Sequence, residues 1–244
     1  MFTVIVAVKD QSKIVKMCLD SLVKYYLQQD ICIVDDGSTE LETVRLLDEY
    51  CTKYNWKLLR NKLSVGHSGA CEQGIENSSC ENVCLLNSDT IVSSNGLQIL
   101  SDVLDTNKDI AVAGPSTSSA SGPQMLKQYY EKRFYMTQED IETAAKSLEN
   151  EKELVDLPLI CGFAFFIKKS VFNDVGKFAP ELTCYGNEKE LLLRIRAAGH
   201  RTVWAKNAFI LHLGKMSYSN SGIDVSRAQV DADRFILKKH GRLE

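Results

Sequence analysis

Short unbroken apolar runs alternate along the chain with longer stretches in which apolar residues recur every three or four positions. The first pattern predicts strands buried on both faces of a sheet, the second amphipathic helices packed on it. Thr3-Val4-Ile5-Val6-Ala7-Val8 opens the series, and Ile31–Val34, Trp56–Leu59, Val83–Leu86 and Ile110–Gly114 continue it. The first predicted helix has Ser12 as its cap and Val15, Cys18, Leu19, Leu22 and Val23 inward. A second, from about 41 to 50, has Leu41, Val44, Leu47 and Cys51 on one side. A third helix start is flanked by Gly66 and Gly69, and a fourth helix turns Leu97, Leu100 and Leu104 inward. Strands alternating with helices over 1–114 imply an α/β fold: a single, mostly parallel central sheet flanked by helices.

The pattern then loosens. Pro115 to Pro123 is rich in turn formers and is expected to be a mobile loop. The polar stretch from Gln124 to Glu153 has helical patches around 125–130 and 139–148, which suits an insertion or lid and equally a plain pair of surface helices. Leu159–Ile167 is apolar throughout and predicts another buried strand. A helix from Glu188 to Ala198 places Leu191, Leu192 and Ile195 on the core side, with Gly199 as its left-handed stop. Arg201–Trp204 and Phe209–His212 predict the last two strands. The tail from Ser226 to His240 is an amphipathic helix with Val230, Phe235 and Ile236 on its apolar side. The chain divides on this basis into 1–114, a variable segment 115–158, a second half 159–214 and a helical tail 215–244.

Composition narrows the function classes. The 244 residues are 44% hydrophobic and 25% charged, enough apolar material for a sizeable core. A net charge of -3, with no basic cluster, argues against nucleic acid as a partner. No apolar run reaches the ~18 residues of a membrane span, and Met1-Phe2-Thr3 leads straight into a strand. A cytoplasmic location is expected, with loose docking at the inner face of a membrane left open, as is a homodimer. Eight cysteines include no Cys-x-x-Cys pair, and Cys18, Cys32, Cys51, Cys71, Cys84 and Cys161 lie in apolar patterns where a thiol acts as a small hydrophobe. Leu243-Glu244 has the look of a cloning scar, so a longer natural chain is open.

Candidate chemistry gathers where apolar runs end. Val83–Leu86 breaks at Asn87-Ser88-Asp89, and Ile31–Val34 breaks at Asp35-Asp36-Gly37-Ser38. Ligands of open α/β sheets bind beyond the carboxyl ends of strands. Asp89 there suits a divalent cation on a diphosphate, and a capped turn before the next helix suits it equally. The turn after the first strand, Lys9-Asp10-Gln11-Ser12, has no Gly-x-Gly-x-x-Gly, and no P-loop occurs anywhere.

These residues, taken with others in order, resemble family 2 of the inverting glycosyltransferases, which has the GT-A fold. The likeness rests on Val34–Ser38, on Asn61, Gly66, Gly69 and Gly74-Ile75, on Leu86–Asp89 and on Gly162–Phe166 with Val175–Phe178. It continues through Tyr185–Leu191, Arg194, Ala198-Gly199 and His212-Leu213-Gly214. It implies a hexosyl- or deoxyhexosyltransferase that uses Mn2+ or Mg2+ and passes a sugar from a nucleotide-sugar donor, UDP- or dTDP-type, to a hydroxyl of a glycan or glycolipid acceptor. Surface polysaccharide or glycoconjugate synthesis is the implied setting. Residue by residue, Asp36 would accept the imino N–H of the base, and Val8, Asp10 and Gly66 would border the nucleotide, Asp10 standing where Asn is common. Asn87 or Ser88 would touch the ribose. Asp89 would bind the metal with His212 as a second ligand.

Glu188 would be the base that deprotonates the acceptor. The family has Glu-Asp where this chain has Asn187-Glu188, so the first acid is lost and the second is one methylene longer. Glu190 is expected to pair with Arg194, four residues on. His67, His200 and His240 are expected at the surface. Acceptor choice is expected in 115–158 and in the walls Cys161–Phe166 and Cys184–Asn187. Two alternatives stand beside this reading: a pseudoenzyme that kept the fold and lost turnover, motivated by Asn87 and Asn187, and a nucleotidyltransferase, which wants a basic Gly-rich loop that Val8-Lys9-Asp10-Gln11 does not supply.

Overall fold

The computed structural model describes residues 1–182, 185–214 and 225–241, with the backbone alone at 225 and 226. The elements run β1 (Thr3–Val8), α1 (Ser12–Tyr26), β2 (Asp30–Asp35), α2 (Leu41–Tyr54), β3 (Lys57–Arg60), α3 (Gly66–Glu76) and β4 (Asn82–Asn87). They continue with β5 (Thr90–Val92), α4 (Gly96–Thr106), β6 (Ile110–Ser116), α5 (Lys127–Tyr130), α6 (Gln138–Ser147) and β7 (Leu154–Asp156). Last come β8 (Ala164–Lys168), α7 (Lys169–Val175), α8 (Asn187–Ala197), β9 (Arg201–His212) and α9 (Val225–His240). Among the described residues no helix is long and apolar enough to cross a membrane.

The strands form one sheet in the order β3-β2-β1-β4-β8-β6-β9-β5, with β7 also paired to β9. β1 through β4 are mutually parallel, and β6 and β9 share their direction, while β5, β7 and β8 run against them. The mostly parallel sheet is therefore present, and β8 enters its middle in reverse. β1 shows why both faces are covered. Val4 and Val6 point to the side where α1, α2 and α4 pack, and Ile5 points to the side of α3, α7 and α8. α3 crosses β1 so closely that a Cβ on Gly74 would stand 3.0 Å from Ile5 Cδ1. α3 and α8 thus lie on one face of the sheet, which matters for the site.

Several local expectations are corrected by packing. Ser12 is the first helical residue and Gln11 the cap; the Ser12 hydroxyl goes instead to Glu40, 3.0 Å away. α2 buries Thr43, Leu47, Tyr50 and Cys51, and Leu41 is 68% exposed, because α2 continues to Tyr54 and its buried stripe is rotated. Strand structure in the predicted run Leu159–Ile167 starts only at Ala164; Ile160 and Phe163 are buried ahead of it, the second in a turn. The two predicted final strands are one, β9, with register shifts in its pairing to β6. In α9, Ala232 and Ile236 face inward and Val230 is 56% exposed.

Pro115–Pro123 is not a free loop at its start: Ser116, Thr117 and Ser118 are fully buried. The helical patches that follow settle as surface helices, α6 packing Ile141, Ala144 and Ala145 against Phe209 and Leu211 of β9. Of the residues expected to choose the acceptor, Cys184 lies outside the described residues, as do 215–224 of the tail and Leu243-Glu244.

Candidate active site

β1, β2 and β4 end side by side, so the loops after Val8, Asp35 and Asn87 share one edge of the sheet. The first two loops are laced together. Asp10 and Gln11 adopt left-handed backbone (φ 56 and 65), a conformation Asp tolerates better than most side chains. That turn aims the Asp10 carboxylate at the backbone N–H groups of Thr39 (2.7 Å) and Glu40 (2.8 Å) ahead of α2. The Val8 side chain is in the core, and its carbonyl accepts the Asp36 N–H at 2.8 Å.

Asp36 is buried under the loop that leads into α3. Its Oδ1 accepts from Asn61 Nδ2 (3.1 Å) and Val65 N (2.7 Å), and its Oδ2 from Ser64 Oγ (2.6 Å) and Gly66 N (3.0 Å). An ionised carboxylate has about four acceptor positions, and these donors fill them. Asp36 and Gly66 are in direct contact and Asp10 braces the neighbouring loop before α2, so these residues form the frame of the loop edge. Direct contact of Asp36 with a base would displace one of its present donors.

Asp89 and His212 are joined by sheet register. β5 pairs antiparallel with β9 so that Thr90 stands opposite His212, and Leu213 N donates to the Asp89 carbonyl at 3.0 Å. Three further contacts fix the imidazole. Its ring stacks on Phe163 at 4.9 Å and 13°, its Nδ1 lies 2.6 Å from the Ser119 carbonyl, and its backbone N–H donates to Ser118 Oγ at 3.2 Å. A carbonyl only accepts, so Nδ1 carries the hydrogen, which in the neutral tautomer leaves the lone pair on Nε2. That nitrogen is 3.3 Å from Asp89 Oδ1. Asp89 is 3% exposed, and its Oδ1 has no hydrogen-bond partner among the described residues.

Two electron-rich atoms held face to face, one with its tautomer set by a backbone carbonyl, fit a divalent cation. Neighbouring corners of an octahedron with bonds of about 2.1 Å are about 3 Å apart, close to the observed separation. Among the described residues no group of three or more His, Cys, Asp or Glu is arranged to hold a metal. Mg2+-like cations commonly take one or two protein ligands and complete their shell with phosphate oxygens and water, so the pair fits a cation that arrives with a phosphate.

Glu188 occupies the first turn of α8 and lies against the backbone of Gly162, in the turn that also carries Phe163. A Cβ at Gly162 would be 2.7 Å from Glu188 Cδ and 2.9 Å from Cγ. Glycine is therefore what gives the carboxylate its place. Among the described residues no hydrogen bond reaches that carboxylate. Asn187, 1% exposed, donates from Nδ2 to Ser68 Oγ at 2.5 Å, and its Oδ1 has no partner among the described residues. The first turns of α3 and α8 meet at this bond.

His67, expected at the surface, stands one residue from the same junction. The Cys71 sulfur, 3.6 Å from Nε2, favours the protonated ring; burial opposes it, and the charges of Glu188 and Asp89 add to the first, leaving His67 at about 9. Glu188 packs on Gly162 and His212 on Phe163, so two consecutive residues of one turn carry the glutamate and the Asp89–His212 pair. The Cys161 thiol is pushed up to about 11 by burial, against a hydrogen bond to the Ser121 carbonyl and with the Glu188 charge adding to it.

Glu190 is separate from this chemistry. Fully buried, it accepts from Arg194, as expected, and from Lys239 Nζ and His240 Nε2, each at 2.9 Å. Burial would raise its carboxyl, but hydrogen bonds from Arg194, Lys239 and His240 hold it at about 2. It rivets α9 onto α8, helped by Lys189–Asp233 at 2.9 Å, which corrects the surface placing of His240. Ser118, Ser119, Phe163 and His67 were not anticipated from the sequence. The Ser residues sat in a run that read as mobile, and only the Gly162-Phe163 pair carried a signal.

Residues 3–176 match the family model described as Glycosyl transferase family 2. No protein of known function matches the sequence significantly. Among solved structures, GalNAc-T7 with UDP, GalNAc and Mn2+ superposes with a TM-score of 0.72 at 18% identity, over 98% of this chain and 47% of that one. S. aureus TarS 1-349 in complex with UDP-GlcNAc gives 0.70 at 16% identity, over 98% and 66%. The mannosyltransferase PcManGT from Pyrobaculum calidifontis, in complex with GDP-Man and Mn2+, gives 0.66 at 14%, over 89% and 58%. The chain spans about half to two thirds of the length of these proteins, and likeness at such identities establishes the GT-A fold.

Proposed function

We propose that this chain, which belongs to glycosyl transferase family 2 and is a glycosyltransferase, moves a hexosyl or deoxyhexosyl group from a UDP- or dTDP-sugar to a hydroxyl of a glycan or glycolipid, with inversion, in surface polysaccharide or glycoconjugate synthesis. The observation that supports it best is the Asp89 Oδ1, unpartnered among the described residues, facing His212 Nε2 across 3.3 Å, with Glu188 packed on the same Gly162–Phe163 turn as His212. Asp89 and His212 would hold Mn2+ or Mg2+, which when bound neutralises charge on the departing nucleoside diphosphate.

The remaining work falls to the chain itself. Asp10 and Asp36 hold the loops after β1 and β2 in the shape that borders the nucleotide, and Asn87 and Ser88, half-buried at the end of β4, face the ribose. Ser119 and Phe163 keep His212 in the tautomer and plane that ligation needs. Glu188 takes the acceptor hydroxyl's proton as that oxygen bonds to the anomeric carbon and the bond to the diphosphate breaks, its electron pair leaving with the phosphate. A carboxylate with no other hydrogen bond among the described residues suits that role.

The test is a donor screen with Mn2+, comparing UDP-, dTDP- and GDP-sugars for thermal stabilisation and for release of nucleoside diphosphate. Metal-dependent release from a UDP- or dTDP-sugar is expected. Stabilisation by a donor without any release, with or without acceptor glycans, would favour a binding role instead, and release of pyrophosphate would indicate nucleotidyl transfer.

A further inference from the structure

One stretch of the surface carries apolar side chains that the fold does not use. The inner side of α5 and of the turn after it is anchored on β9. Tyr129 meets Phe209 with 5.4 Å between ring centres, and Arg133 Nε donates at 2.8 Å to the carbonyl of Leu213, the residue after His212. The outer side is uncovered. Tyr130, Phe134 and Tyr135 are 37%, 50% and 85% exposed, and among the described residues no other aromatic side chain is exposed. Arg133 holds two of these rings in place, its guanidinium carbon 4.0 Å from the centre of the Tyr130 ring and 4.1 Å from that of Phe134. Lys127 and Lys132 are exposed in the same stretch, and neither is in an ion pair among the described residues.

Exposed rings gathered in one place mark a contact surface, where single exposed apolar residues need no explanation. Two features say what it contacts. The first is charge: residues 127–135 hold Lys127, Lys132 and Arg133 against Glu131 alone, a surplus of two positive charges in a chain whose net charge is -3. Such a chain turns this side toward a negatively charged surface. The second is shape. Sugars and other small ligands are held in concave sites with walls, whereas Tyr135, at 85% exposure, projects with hardly any protein beside it. A bilayer yields around projecting rings. Tyrosine, with an apolar body and a polar tip, suits its interface, and lysine stems lie along the acyl boundary while their heads reach phosphates. We propose that residues 127–135 dock this chain on an anionic lipid bilayer, with Tyr130, Phe134 and Tyr135 seated among the head groups and Lys127 and Lys132 on their phosphates. The docking goes beyond the transfer reading and does not depend on it; through Arg133 and Leu213 it sets the bilayer beside the His212 end of β9.

The experiment is co-sedimentation with sucrose-loaded vesicles, of phosphatidylcholine alone and of equal parts phosphatidylcholine and phosphatidylglycerol, at low and high salt. Wild type is compared with Lys127→Gln/Lys132→Gln and with Phe134→Ala/Tyr135→Ala. All four side chains are exposed, so Tm should change little. Wild type should sediment with the anionic vesicles, less so at high salt, and little with phosphatidylcholine alone. A basic residue near an anionic surface is worth about fivefold in partitioning, so the lysine variant should bind roughly 25-fold more weakly. The aromatic variant should lose about tenfold or more while keeping the salt dependence of wild type. Tyr135→Trp should add an emission that shifts to the blue on anionic vesicles and is quenched by brominated lipid. Failure of wild type to sediment with anionic vesicles, or sedimentation unaffected by the aromatic substitutions, would overturn the proposal. So would a dimer dispersed by Phe134→Ala/Tyr135→Ala without vesicle binding, which would give this face to a second copy of the chain.

Discussion

Adding one methyl group at Gly162 tests the placing of Glu188 without touching Glu188 itself. In Gly162→Ala the new Cβ would be 2.7 Å from Cδ and 2.9 Å from Cγ of the glutamate, and nearer still to Oε1. Ordinary contact begins near about 3.4 Å, so the carboxylate must retreat by about 1 Å. A misplacement of about 1 Å in a reacting group can lower turnover about 100-fold. Gly162 does not have a positive φ, so alanine is acceptable to the backbone, and the end of a flexible side chain yields cheaply. Stability should fall by no more than about 1 to 2 kcal/mol, and nucleotide affinity should stay as it was. The assay is release of nucleoside diphosphate from the donor found in the screen, read as kcat and donor KM, with Tm measured alongside. The expected result is a kcat about 100-fold lower with KM within a factor of two. A kcat equal to wild type at unchanged Tm would mean that the position of Glu188 does not matter to the reaction, and the assignment of the base would fail.

Other outcomes follow from the packing. Glu190→Gln removes a buried carboxylate that takes up Arg194, Lys239 and His240; the folded value of about 2 against 4.5 in the unfolded chain corresponds to roughly 3 kcal/mol. Because the folded value is the lower one, that contribution is complete above pH 4.5 and is lost as pH falls toward 2. Urea unfolding should show wild type well ahead of the variant at pH 7 and the gap narrowing at pH 3; equal stabilities at pH 7 would count against it. Gly74→Ala presses a methyl group onto Ile5, with 3.0 Å to both Cδ1 and Cγ1, and should lower stability by about 1 to 3 kcal/mol, visible as a Tm several degrees lower with nucleotide binding retained. Ser119 acts through its carbonyl, so Ser119→Ala should leave Mn2+ affinity in the presence of nucleotide near wild type, whereas Phe163→Ala removes the ring stacked on His212 and should weaken it.

Where the chain's own pattern was strong, local and global demands agreed. β1 and β4 are continuous apolar runs buried on both faces, and their positions were legible to the residue or nearly so. The helix from 187, with Leu191, Leu192 and Ile195 inward, was legible for the same reason: three apolar side chains at helical spacing have one place to go. What escaped was tertiary in origin. Ser116 to Ser118 carry no hydrophobic signal, yet they are buried because β6 extends along β9 and the serine hydroxyls find partners there, Ser116 Oγ on the Lys206 carbonyl and Ser118 Oγ on that of His212. The reversal of β8 between β4 and β6 is likewise a matter of long-range pairing that periodicity does not record. In the site, acids were visible as sequence motifs, but their surroundings were not. Asp36 looked free to meet a base until the loop from Asn61 to Gly66 closed on it. His67 looked like one more surface histidine, and α3 holds it half-buried against the Cys71 sulfur.

The central claim is that Asp89 and His212 seat a cation while Glu188, packed on the same Gly162–Phe163 turn, takes the acceptor's proton. It is tested most directly by following free Mn2+ by electron paramagnetic resonance as it is titrated into protein with nucleoside diphosphate. Wild type and Glu188→Gln should take up the ion equally, although the second no longer transfers sugar, and Asp89→Ala should take up none. Uptake by Asp89→Ala matching wild type would contradict the account.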